Sequence, residues 1–231
     1  MKIKNAITTP NLSDRSDEQG RKQDALGRML AVRSRNCTDE HGRKQGHWTE
    51  EFDDGTVGEG AYKDGKRHGH WVEWDAGPSV MKGPYVDGEK HGHWVYQLGN
   101  GDGREGPFVN GKMHGHWVWR RIDGVVGGGL YVDGKPHGHW VLLWGDGTVA
   151  EGSFVNGNEQ GHWVVRTFDG EVAEGPYVDG ERHGHWVFRF ANGDVGEAPL
   201  VDGELHGQAI LRKPDGTEEK INYRNGELVD G

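Results

Sequence analysis

The chain has little of what staples, anchors or thickens most folds. One of its 231 residues is cysteine, Cys37, so no intramolecular disulfide can form and the pattern is not that of a disulfide-stapled secreted scaffold. No stretch approaches the roughly 20 apolar residues of a membrane helix. The segment Met1 to Asp14 carries two lysines but lacks the apolar run of about 7–15 residues that forms a signal-peptide core. A cytoplasmic location is the expectation. Apolar residues make up only 32% of the chain, too little to fill a thick core, yet 10 tryptophans and 41 glycines are not the composition of a disordered chain. The composition indicates something thin and rich in aromatic rings.

Catalytic signatures are also missing. There is no Gly-x-Ser-x-Gly elbow, no Gly-x-x-x-x-Gly-Lys loop and no His-Glu-x-x-His, and most of the carboxylates fall in turns or on edges where a solvated face is the ordinary explanation. No enzyme is expected. Gly101 to Gly106 formally matches the dinucleotide fingerprint, but that fingerprint needs a strand before it and a helix after it, and here another hairpin follows. No cofactor is expected either.

Net charge is −10. Residues 1–40 hold 8 Lys/Arg against 6 Asp/Glu, which leaves 19 against 31, or −12, for the remainder. Such a surface repels nucleic-acid phosphates and disfavours anionic lipid headgroups. Fourteen histidines qualify this, because full protonation would turn −10 into +4 and histidine is the side chain that changes charge near neutrality.

The dominant feature is self-similarity. Trp48, Trp71, Trp94, Trp117, Trp140, Trp163 and Trp186 recur every 23 residues without insertion, and a second aromatic series runs from Tyr62 and Tyr85 to Tyr177, with Leu200 substituting once. Within residues 83–105 the order is Gly83-Pro84-Tyr85-Val86, Asp87-Gly88, His91-Gly92-His93-Trp94-Val95, Asn100-Gly101. Asp-Gly and Asn-Gly between apolar runs are strong hairpin signals, since both residues tolerate positive φ. Two turns per repeat imply two strands. The fold class is therefore all-β, an elongated repeat array of β-hairpins forming an antiparallel meander or solenoid of about eight 23-residue units. Residues 1–38 form a polar N-terminal segment, in which Leu26, Met29 and Leu30 predict a short capping helix over 21–34, and residues 39–231 form the array.

Strand alternation places Gly92, Trp94 and Tyr96 on the core face and His91, His93 and Val95 on the wetter one, and glycine at 92 suits a ring lying against bare backbone. Pro84, Pro107, Pro176 and Pro199 stand in strands that should need their amide donors, which implies that the amides point off the ladder or that the ladder is irregular. The Trp series reads as a core stack, with a platform for sugar rings as the alternative.

The motif Glu-Gly-x-Tyr/Phe-x-Asp/Asn-Gly-x-x-x-Gly, seen in Glu105 to Gly115 and Glu174 to Gly184, resembles the MORN repeat, whose period is also 23, over about residues 39–231. The Gly-His-Trp step is closer to the variant repeat of bacterial MORN-like proteins, some grouped with antitoxins. The resemblance implies a β-meander used for protein–protein contacts, with homodimerisation in some members and phospholipid or membrane association in others. The expected function is a non-enzymatic protein–protein interaction scaffold. The alternatives are a membrane-surface module dependent on histidine protonation, and an antitoxin-like inhibitor.

The candidate partner-binding residues are the His-Gly-His pairs: His68 and His70, His91 and His93, His114 and His116, His137 and His139, His183 and His185. At i and i+2 both rings should project from one face, Cα atoms about 6.6 Å apart. Two imidazoles make at most half of a zinc site, which normally needs three or four protein ligands. Metal binding is the minor reading beside partner contact.

Overall fold

A computed structural model describes residues 36–124 and 126–229. They fall into two compact units, one of residues 36–89 with 96–99, the other of residues 90–95 with the described residues from 100 onward. The capping helix expected over 21–34 lies outside the described residues. Within the described residues the regular structure is all strand, and every pairing is antiparallel.

The turns explain the pairing. From Asp64-Gly65 to Asn225-Gly226, eight Asp/Asn-Gly turns hold both residues at positive φ, the first between 49° and 54°, which is the type I′ geometry that matches the twist of a two-residue hairpin. The intervening turns, apart from the one over Asp75 to Ser79, are of a second kind. In the first of them Phe52 N donates to Thr56 O and Gly55 N to Phe52 O, each at 2.8 Å, with Gly55 at φ 78°. This is a type I turn closed by a glycine bulge, another common hairpin connection. Because the two kinds alternate, each occupies its own edge of a meander. Neighbouring type I′ turns are tied together: Gly65 N donates to Lys44 O, and Gly134 N to Met113 O.

The first unit contains strands Cys37–Thr38, Lys44–Glu51, Val57–Lys63, Lys66–Trp74 and Val80–Val86. Trp48, Tyr62, Trp71 and Tyr85 pack edge to face, with centroids 5.2–6.0 Å apart. In the second unit nine rings continue the same geometry from Trp94 through Phe108, Trp117, Tyr131, Trp140, Phe154, Trp163 and Tyr177 to Trp186, with centroids 4.9–6.3 Å apart. Edge-to-face contact suits the ring quadrupoles and adds to the area buried. Trp71, Trp94 and Trp186 are wholly buried, so the core-stack reading of the series is the structural one.

Glycine and proline take roles that alternation alone does not reveal. Gly60 pairs with Trp71 but the next residue, Ala61, pairs with His68, so the second strand carries two extra residues at this point. The same shift occurs at Gly129/Leu130 and Glu151/Ser153. The glycine of each His-Gly-His sits at this bulge with positive φ, 71° at Gly69 and 74° at Gly92. At Gly69, Gly138 and Gly161 an added Cβ would meet nothing within 4 Å. At Gly115 and Gly184 it would meet Cγ of Pro107 and Pro176, at 2.9 and 3.2 Å, and no aromatic ring, so at these in-phase positions the glycine serves backbone conformation, whereas the expectation at Gly92 was that it receives a ring. The ring lies instead on the Glu-Gly glycine: a Cβ at Gly60, Gly106, Gly129, Gly152 or Gly175 would stand 2.2–2.5 Å from the Trp of the following strand.

The bulge also accommodates the prolines. Pro107 O accepts from His114 N and from the Trp117 indole, each at 3.0 Å, and Pro176 O does the same for His183 and Trp186. In extended backbone N and O of one residue point the same way, so the missing proline donor faces the bulge, where no regular ladder bond is interrupted.

Candidate functional site

The face away from the rings carries an ordered set of charges in the second unit. Its central row alternates Glu and Val: Glu105 pairs with Val118, Glu151 with Val141 and Val164, Glu174 with Val164 and Val187, Glu197 with Val187. Glu105, Glu174 and Glu197 are each bracketed by one histidine from the preceding strand and one arginine from the following strand, whereas among the described residues Glu151 is met by an arginine alone. His93 Nε2 lies 3.3 Å from Glu105 and Arg120 lies 3.4 Å from it. His162 and Arg189 share Glu174, and His185 and Arg212 share Glu197. Arg166 pairs with Glu151 at 2.9 Å. The Arg189 hydrogen bond is the main influence on Glu174 and holds its carboxyl below the usual range, with the Arg189, His162 and Arg166 charges adding to the effect.

The two histidines of a triplet do different things. The first reaches a turn carboxylate 19 residues on: His68 to Asp87 at 3.9 Å, His114 to Asp133 at 3.7 Å, His183 to Asp202 at 3.5 Å. The second lies on the open face toward the glutamate row. The positive-φ glycine between them breaks the alternation on which a shared face depends. Among the described residues no three His, Cys, Asp or Glu side chains gather as a metal ligand set.

One rung departs from this scheme. Gly128 stands where the row requires glutamate, between Val118 and Val141, and Leu143 stands where arginine would follow. Among the described residues His116 and His139 form no side-chain hydrogen bond or ion pair, and with Val118, Val126 and Val141 they border a shallow depression of about 310 Å³ over Gly127–Gly129.

Two other features escape a reading of the sequence. In the first unit Glu50 and Glu73 occupy the ring face, at the positions filled later by Tyr96, Trp119 and Leu142. Tyr62 donates to Glu50 at 2.6 Å. Buried Glu73 accepts from Arg67 and Tyr85, each at 2.8 Å. Burial pushes the Tyr85 hydroxyl well above its ordinary value, and the Glu73 charge pushes it further. Arg67 also lies over the Trp71 ring at 4.7 Å, and its ion pair with Glu73 at 2.8 Å offsets part of the cost of burying that charge.

The second feature is the edge formed by the glycine-bulge turns. In the second unit it exposes Ile122 (63%), Trp144 (44%), Phe168 (78%) and Phe190 (41%), one in each of four successive turns, interleaved with Asp123, Asp146, Asp169 and Asp194. Neighbouring turns touch: Ile122 N donates to Asp102 Oδ1 at 2.9 Å, and Arg121 Nη1 donates to Trp144 O. Both features are visible only when in-phase positions of the repeats are compared one with another.

Among solved structures, the chain is similar to the SAS-4 (dCPAP) TCP domain of Drosophila melanogaster, in complex with a proline-rich motif of Ana2 (dSTIL), at 14% identity over 77% of this chain and 90% of that one, with a TM-score of 0.35. It is also similar to the wild-type TCP10 domain of Danio rerio CPAP, at 15% identity over 85% of this chain and 98% of that one, with a TM-score of 0.36. No curated protein matches the sequence. The MORN repeat model matches residues 59–70, 105–116, 129–149, 174–195 and 200–218. Five matches set on one uninterrupted 23-residue register, each folded as the same hairpin, identify the chain as a MORN-repeat protein.

Proposed function

We propose that this MORN-repeat chain is a non-enzymatic scaffold that binds another protein. The observation that carries the reading is the apolar edge of the second unit. Ile122, Trp144, Phe168 and Phe190 are exposed in consecutive turns, where a repeat selected only for folding has no use for large apolar side chains. Contiguous exposed apolar surface on a soluble fold marks an interaction site, and aromatic side chains are enriched in protein interfaces. Asp123, Asp146, Asp169 and Asp194 stand between the apolar groups, so the matching surface is apolar with basic residues, and the same carboxylates oppose anionic lipid headgroups. Hydrogen bonding from Thr148 holds the Asp146 carboxyl below its usual range, which keeps that charge in place on mild acidification. The histidine face adds a second surface to the same scaffold.

A photocrosslinking amino acid at position 168, in cells that express the chain naturally, tests this. The expected product is a discrete polypeptide adduct, lost when Ile122 and Trp144 are both changed to serine and absent when the crosslinker is placed at the exposed Thr217. Adducts to lipid, or flotation with anionic vesicles at about pH 5.5 and not at about pH 7.5, would replace the scaffold reading with the membrane one.

A further inference from the structure

The interrupted rung on the histidine face is a coordinated departure. At every place in the second unit where the central row has glutamate, at 105, 151, 174 and 197, an arginine follows 15 residues later, at 120, 166, 189 and 212. Where the row has Gly128, the position 15 later is Leu143. Removing the glutamate alone would have left an arginine unpaired; here both members of the pair are gone, and the rung is apolar. The backbone has adapted to this state. Gly128 has φ 144°, and a Cβ there would stand 2.1 Å from Trp117 O, so no side chain can refill the gap without moving the strand. Val118 and Val141, separated elsewhere in the row by a carboxylate, face each other across bare glycine.

The rim then sets the charge. His116 and His139 border the depression without partners among the described residues, whereas His93, His162 and His185 each have a glutamate. The flanking ion pairs, Arg120 with Glu105 and Arg166 with Glu151, are balanced and leave the two imidazoles as the uncompensated polar groups. Both offer ring nitrogens to an acceptor, and both gain positive charge on protonation. About 310 Å³ lies at the bottom of the range for ligand pockets, roughly 300–1,000 Å³, and the shallow form suits one inserted side chain better than an enclosed small molecule.

The geometry points to a docking site for an extended acidic peptide segment of a protein partner, one large apolar side chain of which enters the depression between Val118, Val126 and Val141 while its neighbouring carboxylates meet His116 and His139. It rests on the scaffold reading but lies on the sheet face and not on the apolar turn edge, so the two surfaces can fail separately.

The experiment is a titration of the isotopically labelled full chain with three synthetic pentapeptides, each with blocked ends: leucine between two pairs of glutamates, leucine between two pairs of lysines, and alanine between two pairs of glutamates. The glutamate–leucine peptide is expected to shift the Gly127, Gly128 and Gly129 amides and the His116 and His139 ring signals, and to bind at least tenfold more tightly than either of the others. His116→Gln with His139→Gln should weaken it about tenfold with the amide spectrum otherwise intact, and Val141→Lys should abolish it. Phe168→Ser, on the turn edge, should leave it unchanged, so loss of crosslinking there would count against the edge alone. Equal binding of the lysine peptide, shifts that map to other rungs, or full affinity in the doubly substituted chain would overturn the site.

Discussion

Replacing Gly152 with alanine isolates the contact on which each repeat depends. An alanine Cβ at this position would lie 2.2 Å from Cδ2 of Trp163, inside any allowed carbon contact, and the ring cannot retreat because it is held edge-on by Phe154 at 5.1 Å and Tyr177 at 5.9 Å. Its indole N–H is also fixed on Ser153 O at 3.2 Å. Overpacking of this kind costs about 1–3 kcal/mol, which in a chain of this size lowers the melting temperature by about 2–4 °C for each kcal/mol. Gly152 is not at positive φ, so alanine brings no backbone strain, and in a strand it gains about 0.5–1 kcal/mol over glycine. The sign must therefore depend on the ring. Trp163→Ala alone should cost about 3–5 kcal/mol, but once the indole is gone Gly152→Ala should become neutral or stabilising, a coupling of about 1.5–4 kcal/mol between the two sites. The chain contains a natural version of the double change: where tryptophan gives way to Ala209, the glycine opposite the vanished ring is Ala198, itself buried. Urea unfolding followed by circular dichroism on the four proteins closes the cycle. Additive losses would mean that the ring and the glycine do not touch, and would refute a core built by laying each indole on a bare glycine.

Trp117→Ala should cost about 3–5 kcal/mol, whereas Trp48→Ala should cost less, because Trp48 is only half-buried and has a ring neighbour on one side alone; equal losses in thermal unfolding would count against the ladder. Asp133→Val should destabilise by about 1–2 kcal/mol, since a β-branched residue must then adopt φ 50° in a type I′ turn, and Asp133→Gly should restore most of the loss. Glu174, held low chiefly by its hydrogen bond to Arg189, contributes stability that is present above the ordinary glutamate value and is lost as pH falls through its lowered one. Glu174→Gln should accordingly flatten the fall in melting temperature between about pH 5 and pH 3, by no more than the modest worth of an exposed pair, about 1 kcal/mol or less.

The 23-residue spacing is enough to read the antiparallel all-β class, the turn chemistry and the ring stack, because each of those is a local consequence of a repeated residue type: Asn110-Gly111 turns because both residues tolerate positive φ, and Trp117 stacks because every neighbour presents a ring at the same register. What escapes is of two sorts. The bulge at His-Gly-His looks like ordinary alternation in one dimension, and only pairing reveals that two residues of one strand face none of the other, which moves His114 to a turn carboxylate and leaves His116 on the face. For the same reason alternation puts the glycine under the ring at 92, whereas it belongs to the Glu-Gly step. The second sort is the exceptions. A position occupied identically in all repeats is committed to the ladder, as Gly106, Gly129, Gly152 and Gly175 are to the rings above them, and so can say little about a partner. Information beyond the fold must lie where a repeat breaks its own rule. Single breaks are weak evidence, since one substitution drifts easily; Gly128 and Leu143, which give up both halves of one ion pair across adjacent strands and take from His116 the glutamate that His93, His162 and His185 have, form a break that maintenance of the ladder does not require.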